Sequence, residues 1–409
     1  MTRIIDFLVE LLERIGLLFG IGRRKPDPTD PFAPKKRSLM RRLVSALPVL
    51  LILFCIGYLG ILTWRTTTYP GMDLAYPQTI LPPPGSRGEV AGPAPATTAA
   101  DAPVEVNDES TAAGSSETLT CAPSRVVQMQ IGLIDLMVNQ NDWIPGAPQY
   151  NLGFFGLVDF EDTPWFDNKA SFQIGMLSMV RRVSLDLADT LGRVRGTSTA
   201  DADLQAAQSR LRTNERAWVL NNPFDAQLQT VMEAASTSYR GAIPLYRRYN
   251  ERLAACDALF DVRRDNLRTL VDRLAADLGS MASQLAQRAN ATQWSVQRKE
   301  FIPADGNNRG WFDFRADNLF HQARGQLFAL HGLMQAVKMD FGKSIEQSDL
   351  GQVWDRMEAH LAEGAELNPM VVSNGREDGA ISPDHLSVMG QKVLRARANM
   401  VELRDILNR

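Results

Sequence analysis

The chain has 409 residues, a formal net charge of −3 and an apolar fraction of 44%. A small negative net charge excludes the strongly cationic surface of general nucleic-acid-binding proteins, so we expect no nucleic-acid partner. The length and the apolar fraction are sufficient for two or three organised units, one of them with a substantial core.

Residues 1–22 have the pattern of an amphipathic helix, with a stripe of apolar side chains opposite acidic ones. Such a helix can lie on membrane lipids or bind a protein partner, and its acidic polar face leaves both interpretations open. Residues 23–42 follow as a basic hinge that contains several prolines. The members of the apolar stripe are Ile4, Ile5, Leu8, Leu11, Leu12, Ile15, Leu18 and Phe19.

Residues 43–64 carry no charge and predict a transmembrane helix. As a helix they span roughly 33 Å, enough for the hydrocarbon core of a bilayer. Tyr58 and Trp64 lie toward one end, where interfacial aromatic side chains are common. A cleaved signal peptide does not fit, because the preceding segment and the apolar stretch are too long and no small-residue cleavage site follows.

The charges that flank this segment predict its orientation in a bacterial inner membrane. Arg65 is the only basic residue among the first twenty on the C-terminal side. The positive-inside rule therefore predicts a cytoplasmic N-terminus and a periplasmic C-terminal part. The basic residues on the N-terminal side are Arg23, Arg24, Lys25, Lys35, Lys36, Arg37, Arg41 and Arg42.

Residues 65–123 are rich in Pro, Ala, Thr, Gly and Ser, with few large apolar residues after Leu81. Such a composition cannot bury enough apolar surface to order itself, so we predict a disordered linker. Protease added outside the membrane should then cut this linker and release a folded fragment that begins near Cys121.

Residues 124–409 predict an all-α domain, a helical bundle with long antiparallel helices. Apolar residues recur at spacings of three and four along most of this region, and no stretch shows strand alternation. The longest predicted unit runs from about residue 224 to 297 and is interrupted by Pro244. Other predicted helices cover 169–196, 313–341, 349–364 and 386–407.

No motif in this region predicts a reaction. The sequence has no Walker loop, no dinucleotide-binding glycine pattern and no nucleophile elbow, and its four histidines form no zinc motif. The stretch 305–310 resembles the start of a calcium loop, but Arg309 and Ala316 stand where ligands belong. We therefore predict no catalytic residues, no metal and no cofactor, and the sequence leaves open whether the protein is an enzyme.

Four aromatic residues, Trp143, Tyr150, Trp165 and Phe166, lie in a Gly- and Pro-rich region over residues 139–168. They are candidates for a groove that binds an extended peptide or a glycan. The alternative is that their side chains pack at the end of the bundle as part of the core.

The three cysteines are Cys55, inside the predicted span, and Cys121 and Cys256, on its periplasmic side. The oxidising periplasm permits a disulfide between Cys121 and Cys256. The alternative is two free thiols, with Cys256 buried on the apolar stripe of a helix.

Several longer strings, together with the basic-flanked span, resemble a family of proteobacterial single-pass inner-membrane proteins of unknown function. They are "NDWIPGAP", "WFDNKASFQIGMLSMVRRVSLDLADTLGRVRGTSTADADLQ", "YNERLAACDALFDVRRDNLRTLVDRLAADLGS" and "NPMVVSNGREDGAISPDHL". The resemblance covers roughly residues 40–409. It implies an envelope location and brings no catalytic residues with it.

These observations predict a membrane-anchored periplasmic protein that acts by protein contact, as an envelope scaffold or an accessory subunit of an inner-membrane complex. Its partners would be membrane lipids and either another envelope protein or a second copy of the chain. The alternative is an enzyme or binding protein for a cell-wall or lipid ligand that uses the aromatic region 139–168.

Overall fold

A computed structural model describes ten stretches of the chain, and the chain divides into two units at the bond between Arg65 and Thr66. The predicted amphipathic helix, most of the basic hinge and residues 83–121 lie outside the described residues. The described stretches are 39–82, 122–151, 163, 165–193, 199–218, 233–289, 292–295, 297–303, 313–375 and 383–409.

The predicted span is a single helix, α1 (Leu39–Thr67), which extends beyond the predicted 43–64 at both ends. Within the described residues, Leu50–Thr67 is the one segment long and apolar enough to cross a membrane, and only 11% of it is buried inside the protein. A core helix of a soluble protein would be mostly buried, whereas exposed side chains such as Leu53 and Ile56 fit contact with lipid.

The second unit is a helical bundle, which confirms the predicted all-α class. Side chains cap several of its helices: Ser124 accepts a hydrogen bond from the N–H of Val127 where α3 begins. The helices are α2 (Tyr76–Ile80), α3 (Arg125–Asp135), α4 (Pro148–Asn151), α5 (Asn168–Asp186), α6 (Ala202–Leu211), α7 (Ala235–Ala254), α8 (Arg264–Ala289), α9 (Phe314–Asp340), α10 (Gly342–Gln347), α11 (Gly351–Glu366) and α12 (His385–Leu407). Helices α3 and α5 each continue into a π-helical turn, Leu136–Gln140 and Leu187–Leu191.

Two long helix pairs form the centre of the bundle: α5 packs along α9, and α8 packs along α12. Helices α5 and α9 approach most closely at two glycines. A Cβ on Gly175 would lie 2.0 Å from the carbonyl oxygen of Gln322, and a Cβ on Gly325 would lie 2.0 Å from that of Phe172. Only glycine allows two backbones to approach this closely, so these two residues fix how α5 and α9 pack.

The predicted unit from about residue 224 to 297 is described from residue 233 onward, where it consists of two helices, α7 and α8, and part of a hairpin. The break lies at Cys256, whose φ of 60° is left-handed, and the N–H of Asp257 bonds back to the carbonyl oxygen of Arg252. This arrangement is a common way to end a helix. The predicted interruption at Pro244 is wrong, because this residue lies inside α7, whose neighbouring side chains are buried in the core.

A short hairpin, β1 (Thr292–Ser295) and β2 (Glu300–Pro303), follows α8. The strands are antiparallel, with Trp294 opposite Phe301, and Lys299 has a left-handed φ of 52° where the chain enters β2. The expectation of no strand was wrong here. Four-residue strands are too short for alternation to separate them from a loop.

Residues 66–82, which we call the strap, belong to the folded unit and not to a disordered linker. Tyr76 is only 2% exposed and Leu81 only 7%, while Tyr69, Met72 and Leu74 pack against the core. The predicted disorder of 65–123 was therefore wrong for the strap. The large apolar side chains of this stretch give it enough surface to bury, and the low-complexity composition begins only after Leu81.

Candidate functional site

Two domain side chains hold the first part of the strap by its backbone. The Lys169 Nζ donates to the carbonyl oxygen of Thr68 at 2.6 Å, and the Asn141 Nδ2 donates to that of Pro70 at 2.8 Å. Lysine is rarely buried without a specific partner, yet Lys169 is only 2% exposed. Burial raises the pKa of the neighbouring Tyr69 to about 12, so its phenol remains neutral at physiological pH.

Tyr76 anchors the middle of the strap. Its hydroxyl donates to the carbonyl oxygen of Phe328 at 2.8 Å and accepts from the N–H of Gly332 at 3.0 Å. Its ring stacks on the ring of Phe328 with 4.3 Å between centroids. Burial raises the pKa of Tyr76, so the hydroxyl keeps the proton that it donates. Both polar functions of this buried hydroxyl are satisfied by α9.

Glycines in the domain make room for the strap. A Cβ on Gly332 would lie 2.1 Å from the Tyr76 hydroxyl, and a Cβ on Gly132 would lie 2.5 Å from the side chain of Ile80. Gly332 belongs to α9 and Gly132 to α3, so the surface that receives the strap is shaped by two helices. A glycine inside a helix costs about 1 kcal/mol relative to alanine, which indicates a packing reason at both positions.

The end of the strap lies against the start of α3. The Gln128 Nε2 donates to the carbonyl oxygen of Ile80 at 2.8 Å. The chain re-enters the described residues close by, because the N–H of Ser124 donates to Asn250 Oδ1 at 2.7 Å and its hydroxyl donates to Asp340 at 2.7 Å. The low-complexity segment 83–121 therefore begins and ends at anchored positions of the same unit.

A separate cavity of about 400 Å3, the polar cleft, lies between α5, α6 and α8. Two of its three lining arginines are held by the protein itself: Arg181 donates to the carbonyl oxygens of Leu211 and Thr213, and Arg182 forms a bidentate pair with Asp277. Hydrogen bonding to Asp277 is the main cause of the raised pKa of Arg182. The uncharged polar residues of the lining are Ser178, Ser184, Gln208, Ser280, Gln284 and Gln326.

The buried carboxyl groups of the bundle have structural partners. Asp340 accepts hydrogen bonds from the Ser124 hydroxyl and from the backbone N–H groups of Arg125 and Val126, so it caps α3. Burial raises its pKa to about 6, against the lowering effect of these bonds. Shifted carboxyl groups often mark catalytic sites, but the oxygens of Asp340 face donors of its own chain.

Asp317 provides a prediction on pH. Burial, assisted by the repulsion of Asp313, raises its pKa to about 7. The folded protein then holds a proton that the unfolded chain releases above about pH 4, so the stability contributed by Asp317 is lost as pH rises toward and through 7. Asparagine cannot titrate. We therefore expect the unfolding free energy of Asp317→Asn, relative to that of the wild type, to be higher at pH 8 than at pH 5.

Denaturant titrations of both proteins at the two pH values measure this difference. Buried histidines such as His321, whose pKa is lowered to about 3 by burial, titrate in the opposite sense. They are present in both proteins and cancel in the comparison. A difference in unfolding free energy that is the same at pH 5 and pH 8 would show that Asp317 is ionised in the folded state.

Comparison with known families identifies one family for the chain. A family model described as DUF2333, an uncharacterized protein conserved in bacteria, matches residues 158–409. The matched segment is more than half of the chain and includes α5 to α12. The chain belongs to the DUF2333 family. No curated protein and no solved structure matches the chain.

The DUF2333 match confirms the resemblance to an uncharacterised bacterial family over residues 158–409, a shorter segment than the predicted 40–409. Helix α1, the strap and α3 lie before the matched segment. The polar cleft and the α5–α9 glycine contact lie inside it. The family brings no assigned chemistry, so functional arguments for this DUF2333 protein rest on its own residues.

The aromatic candidates are placed differently from one another. Trp143 is 5% exposed, donates from Nε1 to the carbonyl oxygen of Glu215 at 2.8 Å and packs edge-on against Tyr239. Tyr150 is also buried, whereas Trp165 is 55% exposed. The packing interpretation fits Trp143. Gln173 holds the backbone on both sides of it, because it accepts from the N–H of Ile144 and donates to the carbonyl oxygen of Asp142. The groove itself remains a prediction, since residues 152–162 lie outside the described part.

No described group of three or more His, Cys, Asp or Glu residues can hold a metal. The closest approach to a catalytic pair is Ser373 with His385, whose hydroxyl oxygen and Nδ1 are 3.2 Å apart. However, this hydroxyl donates to the carbonyl oxygen of Pro383, and the same Nδ1 accepts the N–H of Ser373. These bonds join Ser373 to the start of α12, and the hydroxyl donates to a carbonyl oxygen instead of to a base that would activate it.

The sequence interpretation missed the strap and the polar cleft. The signal for the strap was present, because "TTYPGMDLAYPQTIL" contains two tyrosines, one methionine and three large aliphatic residues that a linker would not need. The cleft had no local signal. Only the tertiary fold brings Arg181 to the carbonyl oxygen of Leu211 and Arg182 to Asp277.

The predicted disulfide has support from the described residues around it. Cys256 is exposed in the turn after α7, so the alternative of a buried thiol on a helical stripe is wrong. Ser124 is bonded to Asn250 in the last turns of α7. Cys121 lies outside the described residues, three positions before Ser124, so the bond itself stays a prediction.

We expect a non-reduced digest of the purified protein to contain a linked Cys121–Cys256 peptide pair. The bond closes a loop of more than one hundred residues, so Cys256→Ser should lower the unfolding free energy by up to about 4–5 kcal/mol. Cys55, a free cysteine in α1, is the internal control for thiol labelling. Alkylation of both Cys121 and Cys256 without reductant would rule out the bond.

Proposed function

We propose that this DUF2333 protein is a single-pass inner-membrane protein whose helical unit lies in the periplasm and acts by protein contact. In this proposal the N-terminus is cytoplasmic, and the helical unit is a scaffold or an accessory subunit of an envelope complex. The basic residues before α1 and the exposed apolar surface of α1 support the membrane anchor.

The strap is the observation that carries this proposal. A tethered enzyme needs only a flexible connection to the membrane, whereas here the chain is bonded to the domain at Thr68, directly after α1 ends. Tyr76 and the glycines beneath the strap extend that attachment over 66–82. The chain thus enters the folded unit within a few residues of α1, with no long linker between them, and such a connection suits a scaffold.

The chemistry of the described residues supports contact over catalysis. Asp340 and the pair of Ser373 and His385 are bonded to groups of their own chain, and so are Arg181 and Arg182 of the polar cleft. Large apolar side chains are nevertheless exposed on the domain, with Met370 at 92%, Trp165 at 55% and Leu394 at 50%. Exposed apolar side chains mark an interaction site where they join into a patch, so these three positions are the ones at which partner contact is tested.

Photo-crosslinking in native membranes tests this proposal. A photoreactive residue is placed in the full-length protein at Met370, Trp165 or Leu394, and Ser283, an exposed polar position of α8, is the matched control. We expect a discrete protein adduct from at least one of the three apolar positions and none from Ser283. A photoreactive residue at Leu53 in α1 should crosslink to lipid, and this product is the positive control for the crosslinking reaction. Labelled lipid without any protein adduct from the domain would contradict the proposal.

The exposure of Trp165 favours one alternative function, binding of a cell-wall or lipid ligand through the aromatic region. A protein that works this way should bind purified cell-wall sacculi, and Trp165→Ala should abolish the binding. Trp143 serves as a poor probe because its loss would disturb the core. Binding that depends on Trp165, without a protein adduct in the crosslinking experiment, would favour this alternative.

A further inference from the structure

We infer that the strap, and not the low-complexity segment 83–121, joins the domain to its membrane anchor, so that a cut within 83–121 leaves the domain attached. The inference rests on the proposed membrane anchoring by α1. It deepens the proposed function by identifying which segment connects α1 to the domain: the strap follows α1 directly, and residues 83–121 add no length between the two.

The connectivity of the chain supports this inference. The strap precedes residues 83–121 in the sequence, yet it is already part of the domain through Thr68, Tyr76 and Ile80. The segment then leaves after Ile80, which is bonded to Gln128, and returns at Ser124. Both ends of residues 83–121 thus connect to the same unit. The length of this segment therefore does not increase the distance that α1 and the domain can span.

Cleavage in this segment would divide the protein into two pieces without a covalent link. Cys121 and Cys256 both belong to the C-terminal piece, so a disulfide between them does not tie it to the membrane piece. Only the non-covalent contacts of the strap remain. These include the buried ring of Tyr76, its two hydrogen bonds to α9 and the bonds to Lys169 and Asn141.

The test uses the purified full-length protein in phospholipid vesicles, with a specific protease site inserted near residue 95. After cleavage, vesicles are sedimented and the C-terminal piece is measured in the pellet and in the supernatant. Composition alone predicted release, whereas the contacts of the strap lead us to expect that the piece remains in the pellet after a buffer wash and leaves it in urea. Release of the wild-type piece by cleavage alone would overturn the inference.

Two substitutions should weaken the contact between the strap and α9, one placed in each partner. Gly332→Ala places a Cβ against the Tyr76 hydroxyl, and Tyr76→Ala removes the anchoring side chain while leaving the C-terminal piece unchanged in sequence. Each should increase the released fraction on the order of tenfold. Gly390→Ala is the matched control, because its Cβ would meet only Leu285 at an ordinary 3.8 Å, and its release should equal that of the wild type.

Misfolding of a variant and binding of a partner protein could also change the released fraction, and both can be tested separately. Circular dichroism of the uncleaved variants shows whether the domain still folds, and Tyr76→Ala tests the strap with a wild-type C-terminal piece if Gly332→Ala does not fold. Retention of both variants at the wild-type level would overturn the inference, because something other than the strap would then hold the domain. The vesicles contain no partner protein, so this outcome is independent of the crosslinking test of the proposed function.

Discussion

Replacing Gly175 by alanine should destabilise the helical domain by about 3 kcal/mol or more and lower its melting temperature on the order of 10 °C. The new Cβ would lie 2.0 Å from the carbonyl oxygen of Gln322 and 3.0 Å from the backbone nitrogen of Gln326. Backbone atoms in the middle of α9 cannot rotate away as a side chain can, so the whole helix must shift. Gly325→Ala, which meets the carbonyl oxygen of Phe172, should have an effect of similar size.

Thermal melts followed by circular dichroism measure this effect in purified protein. Gly390→Ala in α12 is again the control, since a buried helical glycine with ordinary van der Waals space around it should become neutral or slightly more stable as alanine. The double variant of Gly175 and Gly325 should lose less than the sum of the single losses, because one separation of α5 from α9 relieves both clashes. Near-wild-type stability of either single variant would contradict the described helix contact.

The second large effect is expected at Asp313, where Asp313→Asn should cost about 3 kcal/mol. The Asp313 carboxylate is 1% exposed, pairs with Arg288 at the end of α8 and accepts a hydrogen bond from Asn374 Nδ2 at 2.9 Å. Removal of its charge leaves Arg288 without its main counter-ion in a largely buried position. The same change would loosen the turn at Asn374 that precedes α12.

An exposed ion pair provides the matched control for Asp313. Asp355 has a side chain that is 68% exposed and lies 2.6 Å from the Lys338 ammonium. Asp355→Asn should change the unfolding free energy by less than about 1 kcal/mol, because solvent screens an exposed pair. Denaturant titrations of the two variants make the comparison. Equal losses at Asp313 and Asp355 would show that burial of the Asp313 pair contributes nothing to stability.

The sequence predicts the elements whose signal is local. The uncharged stretch 43–64 predicts α1, and three-and-four spacing predicts most of α5, α8, α9 and α12. The end of α7 at Cys256 was missed because the chain had no glycine or proline there, and Pro244 gave a false signal of a break. The hairpin strands were too short to show a pattern.

Contacts between distant segments explain most of what sequence reasoning could not find. Asp313 and Arg288 form their pair only after the hairpin returns the chain, and the two glycines of the α5–α9 contact are 150 residues apart. A glycine within a helical pattern does suggest close packing, but it does not identify the partner. Tyr76 could have been suspected within the predicted linker, whereas its acceptor, the carbonyl oxygen of Phe328, could not.

The orientation of the chain in the membrane is the central claim of this account, and reporter fusions test it most directly. Alkaline phosphatase, active only in the periplasm, and a fluorescent protein that folds only in the cytoplasm are each fused after Arg409. The charge asymmetry around α1 predicts an active phosphatase and a dark fluorescent fusion. A fluorescent fusion with an inactive phosphatase would place the helical domain in the cytoplasm and contradict the proposed function.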